Sequence, residues 1–204
     1  MSSKNSFFIN HLRENGTIVS EKILGAFFFV DRKDFVPERY RNETYLDRPI
    51  PLNHEMTTSQ PSTIAFMLEK LQPKVGWKVL EIGTGLGYLT ALLAKIVGDN
   101  GQVVSVEYFA DLKEFAQANL QKYSFKNIHL IVGDGKNGVS EEAPFDAIIS
   151  STEVHIIPLV WKKQLKTGGR LLTPVDSQIV LITKSSEKKF EEEKFPFFSF
   201  VKIK

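Results

Sequence analysis

The nine residues from Val79 to Gly87, VLEIGTGLG, constrain this chain more than any other stretch. Val79-Leu80-Glu81-Ile82 is a short apolar run, the pattern of a strand buried in a parallel sheet. Gly83, Gly85 and Gly87 follow at alternate positions, and Tyr88 to Val97 reads as an apolar helix. Strand, glycine turn and helix together cradle a polar or anionic nucleotide-like ligand. Glycines let the backbone pass close to it, and the helix N-terminus points free amides at it. The spacing narrows the ligand, because the dinucleotide fingerprint G-x-G-x-x-G places its third glycine one residue later.

Two further strands end in suitable groups. Gln102 to Val106 runs into Glu107, 20 residues after Gly87, where a carboxylate can accept hydrogen bonds from both ribose hydroxyls. Ile128 to Val132 runs into Gly133-Asp134-Gly135, suited to an adenine edge. The acid-G-x-G-x-G run, the acid-ended second strand and the GDG triplet resemble a class I S-adenosylmethionine-dependent methyltransferase. That resemblance implies S-adenosylmethionine as cofactor and S-adenosylhomocysteine as product.

The chain has 204 residues, enough for one sizeable core, and a net charge of +2, too balanced to argue for nucleic acid. It has no cysteine, which removes disulfides and thiolate catalysis, and its 4 histidines are scattered without metal-ligand spacing. The first residues, MSSKNSFFINHLRENG, lack a signal-peptide pattern, and no apolar run approaches the ~18 residues of a membrane span. The expectation is a soluble, cytoplasmic, monomeric protein with no metal. Of 16 phenylalanines, those at 27–29 and 195–200 read as core.

Residues 3–15 and 19–29 read as two helices, and 38–53 as an ordered irregular arm. A helix follows over 61–71, with Pro61 in its first turn and Ser59 or Gln60 as cap. Strands and helices then alternate at 77–82, 88–97, 102–106, 110–122, 128–132, 145–150, 156–165 and 169–174. A sixth strand covers 178–183, Ser185 to Lys194 reads as a charged hairpin loop, and 195–203 as a last strand. The expected fold is α/β: a doubly wound, mostly parallel seven-stranded sheet, Rossmann-like, with an N-terminal helical arm and an antiparallel C-terminal hairpin. The whole of 1–204 is expected to form one methyltransferase domain, with 1–72 as a substrate-side arm and 73–204 as the cofactor-binding core.

DFVP at 34–37, YLDRP at 45–49, TTSQP at 57–61, VLEIGTGLGYLTALLA at 79–94, GDG at 133–135, APFDAII at 143–149 and GGRLLTPV at 168–175 occur in that order. Together they resemble the protein-L-isoaspartate O-methyltransferase family over nearly the whole chain. The TTSQP segment discriminates, because most class I methyltransferases lack it. The resemblance implies repair of isoaspartyl-damaged proteins or peptides. Ser59 would be the active-site hydroxyl, and Thr57 would belong to the segment that covers the cofactor. The methionine end would lie beside Glu81, Gly83, Thr84, Gly85 and Gly87, the ribose on Glu107 and the adenine at Asp134 and Gly135.

The family's G-x-G-Q stretch before this motif is Asn53-His54-Glu55-Met56 here. A Glu55 charge ~6 Å from an acceptor carboxylate, at an effective dielectric of ~20, would oppose binding by roughly 2–3 kcal/mol. That departure keeps two alternatives open: another acceptor (modified peptide, RNA or small molecule), or a non-catalytic cofactor-binding relative. Plain structural roles also stand beside each assignment. Ser59 could be a helix cap, Glu81 a structural acid, Glu107 a solvated strand end, Asp134 a turn former and His54 an exposed loop histidine.

Overall fold

The structure, a computed structural model, describes residues 3–204. Helices α1 (Ser3–Glu14) and α2 (Glu21–Phe29) pack together, and α2 buries Ile23, Leu24, Ala26 and Phe27. Two 3-10 turns, Arg32–Phe35 and Glu38–Glu43, lead into a short antiparallel pair, β1 (Ile50–Pro51) and β2 (Thr57–Thr58). Helix α3 (Pro61–Leu71) closes this N-terminal arm with Ile64, Ala65, Met67, Leu68 and Leu71 buried.

The remainder alternates. Strand β3 (Lys78–Ile82) leads to α4 (Tyr88–Val97), β4 (Gln102–Glu107), α5 (Ala110–Leu120) and β5 (Ile128–Val132). Then come β6 (Phe145–Ser150), α6 (Leu159–Gln164), β7 (Leu165–Val175), β8 (Gln178–Ser186) and β9 (Lys189–Pro196). The seven-stranded sheet runs β5-β4-β3-β6-β7-β8-β9, parallel through β7 and antiparallel at β8 and β9. Apolar layers cover both faces. One is built from α1 to α4 against Val79, Val103, Ile149 and Leu172, the other from Trp161 and Phe145 against Leu80, Val104, Ile148 and Leu171. The chain leaves β3 toward β4 on one side and returns to β6 on the other. This order reverses at the carboxyl end of β3, the position where open α/β sheets leave a crevice for ligands.

Three local readings change. The last strand is 189–196, not 195–203, and the hairpin turn shrinks to Glu187-Lys188. Glu191, Glu192 and Glu193 give this segment the polarity of a loop, but it is an edge strand, where charged side chains block further pairing. Residues 197–203 instead cross the sheet end as irregular chain, with a bridge between Glu153 and Lys202. The phenylalanine clusters are only partly core: Phe27 is buried, Phe195 and Phe198 flank Phe66, and Phe29 and Phe197 are exposed.

Helix α3 has Gln60, not Ser59, at its N-cap, and Gln60 makes no side-chain cap bond. Asp47 does that work from the arm: its Oδ1 accepts from the Ser62 backbone N–H at 2.9 Å and its Oδ2 from Gln60 Nε2 at 2.9 Å. A carboxylate at a helix N-terminus satisfies orphan amides and complements the helix dipole. Asp47→Ala is therefore expected to lower stability by about 1 kcal/mol in urea denaturation, whereas Ser59→Ala should stay within about 0.5 kcal/mol of wild type. An equal loss in both would place the cap on Ser59.

Candidate active site

A cleft of about 980 Å³, including its solvent-open mouth, lies over the carboxyl ends of β3 and β4. Its floor is Gly83, Thr84 and Gly85; Glu107, Tyr108 and Phe109 close one side. Gly135 joins from the end of β5, and Ser151 and Thr152 from the end of β6. Leu52, Met56, Thr57, Thr58 and Ser59 of the β1-β2 hairpin line it from the arm, and residues 201–204 from the C-terminal tail.

The floor needs glycine for backbone reasons. Gly83 and Gly85 have φ of 88° and 55°, in the region that side chains disfavour. The turn between them is pinned. Gly83 N–H donates to Val106 O at 2.9 Å, and Gly85 N–H to Glu107 Oε2 at 2.8 Å. Gly87 has a different task. It does not line the cleft, and a Cβ there would sit 3.3 Å from Ala116 and Leu120, so it lets α5 close on the start of α4.

Glu107 is 5% exposed and faces the cleft. Its Oε1 also accepts from Phe109 N–H at 3.1 Å. Burial raises its pKa, and the backbone donors at Phe109 and Gly85 oppose that rise. Each carboxylate oxygen keeps further acceptor capacity for a ligand hydroxyl.

Glu81 lies behind the floor. It is 0% exposed and absent from the cleft lining, and its Oε2 accepts from Thr90 Oγ1 at 2.6 Å and Ser105 Oγ at 2.7 Å. Ser105 Oγ in turn meets Thr84 Oγ1 at 2.6 Å, so Glu81 braces the glycine turn through two hydroxyls. Its Oε1 has no hydrogen-bond partner among the described residues. Burial pushes its pKa up to about 8 despite the two hydroxyl donors. Asp134 is exposed and stands outside the cleft; its Oδ1 accepts from Lys136 N–H at 2.9 Å and shapes the turn after β5. The neighbouring Gly135 does reach the cleft, held by Trp161 Nε1 donating to its carbonyl at 2.9 Å.

Ser59 and Thr57 both line the cleft, and neither side chain makes a hydrogen bond among the described residues. Thr58 is engaged, its Oγ1 accepting from Ile50 N–H at 3.1 Å.

Glu55 stands outside the cleft lining. His54 and Glu55 form the hairpin tip with φ of 58° and 60°, and Met56 N–H closes the turn on Asn53 O at 3.1 Å. Both residues are exposed, and neither lines the cleft. In that solvent-exposed position screening reduces the roughly 2–3 kcal/mol repulsion expected from a charge ~6 Å from the acceptor. The tip is fastened instead. His54 stacks on Phe109 at 3.9 Å between centroids, and its Nε2 lies 2.9 Å from Asp111 Oδ1. The His54 contact holds the Asp111 carboxyl below its ordinary pKa.

Among the cleft residues that the sequence did not assign to the site are Tyr108, Phe109, Ser151, Thr152, Lys202 and Lys204. The first two directly follow Glu107. Ser151 and Thr152 end the strand paired with β3, a placement visible only once strand order is known.

A family model described as protein-L-isoaspartate(D-aspartate) O-methyltransferase matches residues 3–203. The chain belongs to this family. A protein-L-isoaspartate O-methyltransferase from Methanothrix thermoacetophila is 41% identical over 176 residues, 85% of this chain and 84% of the relative. Its namesake from Methanothermobacter thermautotrophicus is 37% identical over 200 residues, 96% of this chain and 92% of the relative. A solved protein-L-isoaspartate O-methyltransferase superposes with a TM-score of 0.88 at 31% identity, over 97% of this chain and 65% of that longer one. A Plasmodium falciparum protein assigned to the same family, solved with S-adenosyl-L-homocysteine, superposes with a TM-score of 0.90 at 23% identity, over 100% of this chain and 99% of its own, and shares the fold.

Two outcomes test the site's electrostatics and backbone. With its folded pKa raised to about 8 and an unfolded value near ~4.3, Glu81 binds a proton in the folded state that the unfolded chain releases. Its stabilising contribution is complete below the unfolded value and is lost as pH rises through about 8. Urea midpoints of wild type should therefore fall relative to Glu81→Gln between acid and mildly alkaline pH. Parallel profiles would mean that Glu81 is not held protonated. Separately, Glu55→Gly should raise stability by about 1 kcal/mol by relieving the left-handed backbone. A loss of stability would show that Glu55 makes a compensating contact.

Proposed function

We propose that this chain transfers the methyl group of S-adenosylmethionine to the α-carboxylate of L-isoaspartyl residues in damaged proteins or peptides. The observation that best supports the reading is Ser59. Its hydroxyl is free, faces the same cleft as Gly83, Gly85 and Glu107, and sits on a segment whose helix is capped by another residue. Family membership supplies the acceptor class, and the position of Glu55 outside the cleft lining weakens the sequence-based objection to an anionic acceptor.

The residues present fit the methyl donor. The floor is open at Gly85, where a Cβ would meet only Leu52 Cδ1 at 4.0 Å, and closely packed at Gly83, where a Cβ would sit 3.2 Å from Ser151 and Thr152. Glu107 offers a buried acceptor carboxylate for ribose hydroxyls, and Gly135, with Tyr108 and Phe109, walls the adenine end. Glu81, Gly87 and Asp134 serve this binding from behind, as brace, helix junction and turn. When bound, the donor supplies a sulfonium methyl: the acceptor carboxylate oxygen bonds to it as the carbon–sulfur bond breaks, the electron pair stays on sulfur, and no proton moves.

The chain's tasks follow from that balance. A carboxylate with a pKa near ~4 is already ionised at neutral pH, so no general base is needed. Ser59 donates a hydrogen bond that orients the acceptor oxygen, and alignment of the reacting atoms is the main source of rate. A neutral donor suits the task because the acceptor loses its charge in the product. Leu52 and Met56 of the hairpin exclude water above the floor. Residues 73–204 hold the cofactor, and the arm before them brings Ser59 to the acceptor side of the same functional unit. Among the described residues no helix is long and apolar enough to cross a membrane; we assign the chain to the cytoplasm as a monomer.

The test pairs an isoaspartyl peptide with its normal aspartyl twin, using labelled S-adenosylmethionine, wild type and Ser59→Ala. Base-labile label should appear on the isoaspartyl peptide alone. The variant should turn over about ten- to a hundredfold more slowly, the range for one hydrogen bond to a charged group. Cofactor binding without any labelling by wild type would overturn the reading.

A further inference from the structure

We infer that Lys202 and Lys204 form a cationic rim that recognises the anionic acceptor. The inference rests on the isoaspartyl reading above and adds residues that the reaction itself does not require.

The cleft divides by its own architecture. Glu107 on β4 and Gly135 after β5 lie to one side of β3, the side given to the nucleoside. The opposite half, toward β6, is lined by Ser151, Thr152, Ser59 and the tail. This half is left for the acceptor. The tail is fixed there by backbone bonds: Glu153 N–H donates to Val201 O at 2.8 Å, and Ile203 N–H donates to Glu153 O at 2.9 Å. Ile203 packs on the apolar layer, while Lys202 and Lys204 are exposed.

Charge points the same way. The charged residues lining the cleft are Arg32, Glu107, Lys202 and Lys204. Arg32 is committed to backbone carbonyls, and Glu107 would repel a carboxylate. Among the described residues neither lysine forms an ion pair; the nearby Glu153 carboxylate accepts from Ser177 N–H at 3.2 Å. Lys202 also borders a second hollow lined by Lys136, His155, Ile156 and the acids Glu153 and Asp176, a mixed-charge path for the flanking polypeptide past the rim.

The test compares wild type with two double variants, Lys202→Met with Lys204→Met, and Lys202→Arg with Lys204→Arg. Methionine keeps an apolar stem and leaves the backbone bridge in place. The readouts are KM and kcat for the isoaspartyl peptide, and peptide binding by fluorescence anisotropy in the presence of S-adenosylhomocysteine. The methionine pair should weaken peptide binding and raise KM about five- to tenfold, with kcat within about twofold. KM should also lose much of its rise with salt, and the arginine pair should restore both. S-adenosylhomocysteine affinity should match wild type in every variant. Unchanged peptide binding and salt dependence in the methionine pair would overturn the inference. If wild type itself neither binds nor methylates the isoaspartyl peptide, the functional reading fails first.

Discussion

The buried guanidinium of Arg32 ties residues 44–48 of the arm to its first 3-10 turn. It is 2% exposed, yet among the described residues no carboxylate pairs with it. Nη1 donates to Thr44 O at 2.7 Å and Leu46 O at 2.9 Å, and Nη2 to Arg48 O at 3.0 Å. A charge removed from water costs several kcal/mol unless its donors are satisfied, so these three carbonyls and the guanidinium hold each other in place. The fold of residues 44–48 then follows. Tyr45 reaches Asp31 at 2.8 Å, and Asp47 is set over the start of α3. Because Asp47 caps that helix, the residue before the cap, Ser59, keeps its hydroxyl for the cleft. The placement of a candidate catalytic group thus depends on a cation buried 27 residues earlier in the chain.

The core side depends on a different kind of constraint. A parallel sheet collects its strand ends on one edge, so β3, β4, β5 and β6 each deliver a loop to the same crevice. What makes the crevice usable is that the loops are tied to each other. Glu107 links the glycine turn to the start of α5, and Ser151 Oγ donates to Gly83 O at 2.8 Å from the far side. Glu81, Ser105 and Thr84 brace the same turn from beneath. A turn held from three sides has little freedom to relax, which is the preorganisation that binding without large ordering cost requires.

Much of this was legible in the chain. VLEIGTGLG, the acid 20 residues on and the alternation of apolar runs fixed the sheet and four of its loops, because those signals are local. The illegible parts are non-local or conformational. Asp47 caps an amide 15 residues away, with no pattern to announce it. Glu55 looked like an anion in the acceptor site because proximity in sequence to Ser59 was the only guide. The positive φ at 54 and 55 that turns it outward appears only in three dimensions. The edge strand 189–196 hid behind its charges, and the tail 197–203 looked like a strand because its aromatics and valine mimic one. Glu81 and Gly87 were read as part of the cofactor motif from their spacing, but spacing does not distinguish a residue that lines a cleft from one that stands behind it.

A hydroxyl at the reacting centre and lysines at the mouth answer two separate electrostatic demands. Methyl transfer from a sulfonium to a carboxylate destroys both charges, so any cation in contact with the reacting oxygen stabilises the ground state more than the transition state and slows the step. In its proposed role, the neutral Ser59 hydroxyl avoids that cost. An anion must nevertheless reach a cleft that already contains Glu107, and a hydroxyl attracts it only at contact. Exposed lysines act over the ~8–10 Å of the screening length while water weakens their grip once the anion has arrived. Distance from the centre is therefore what lets the same chain gather an anionic acceptor and still react it quickly.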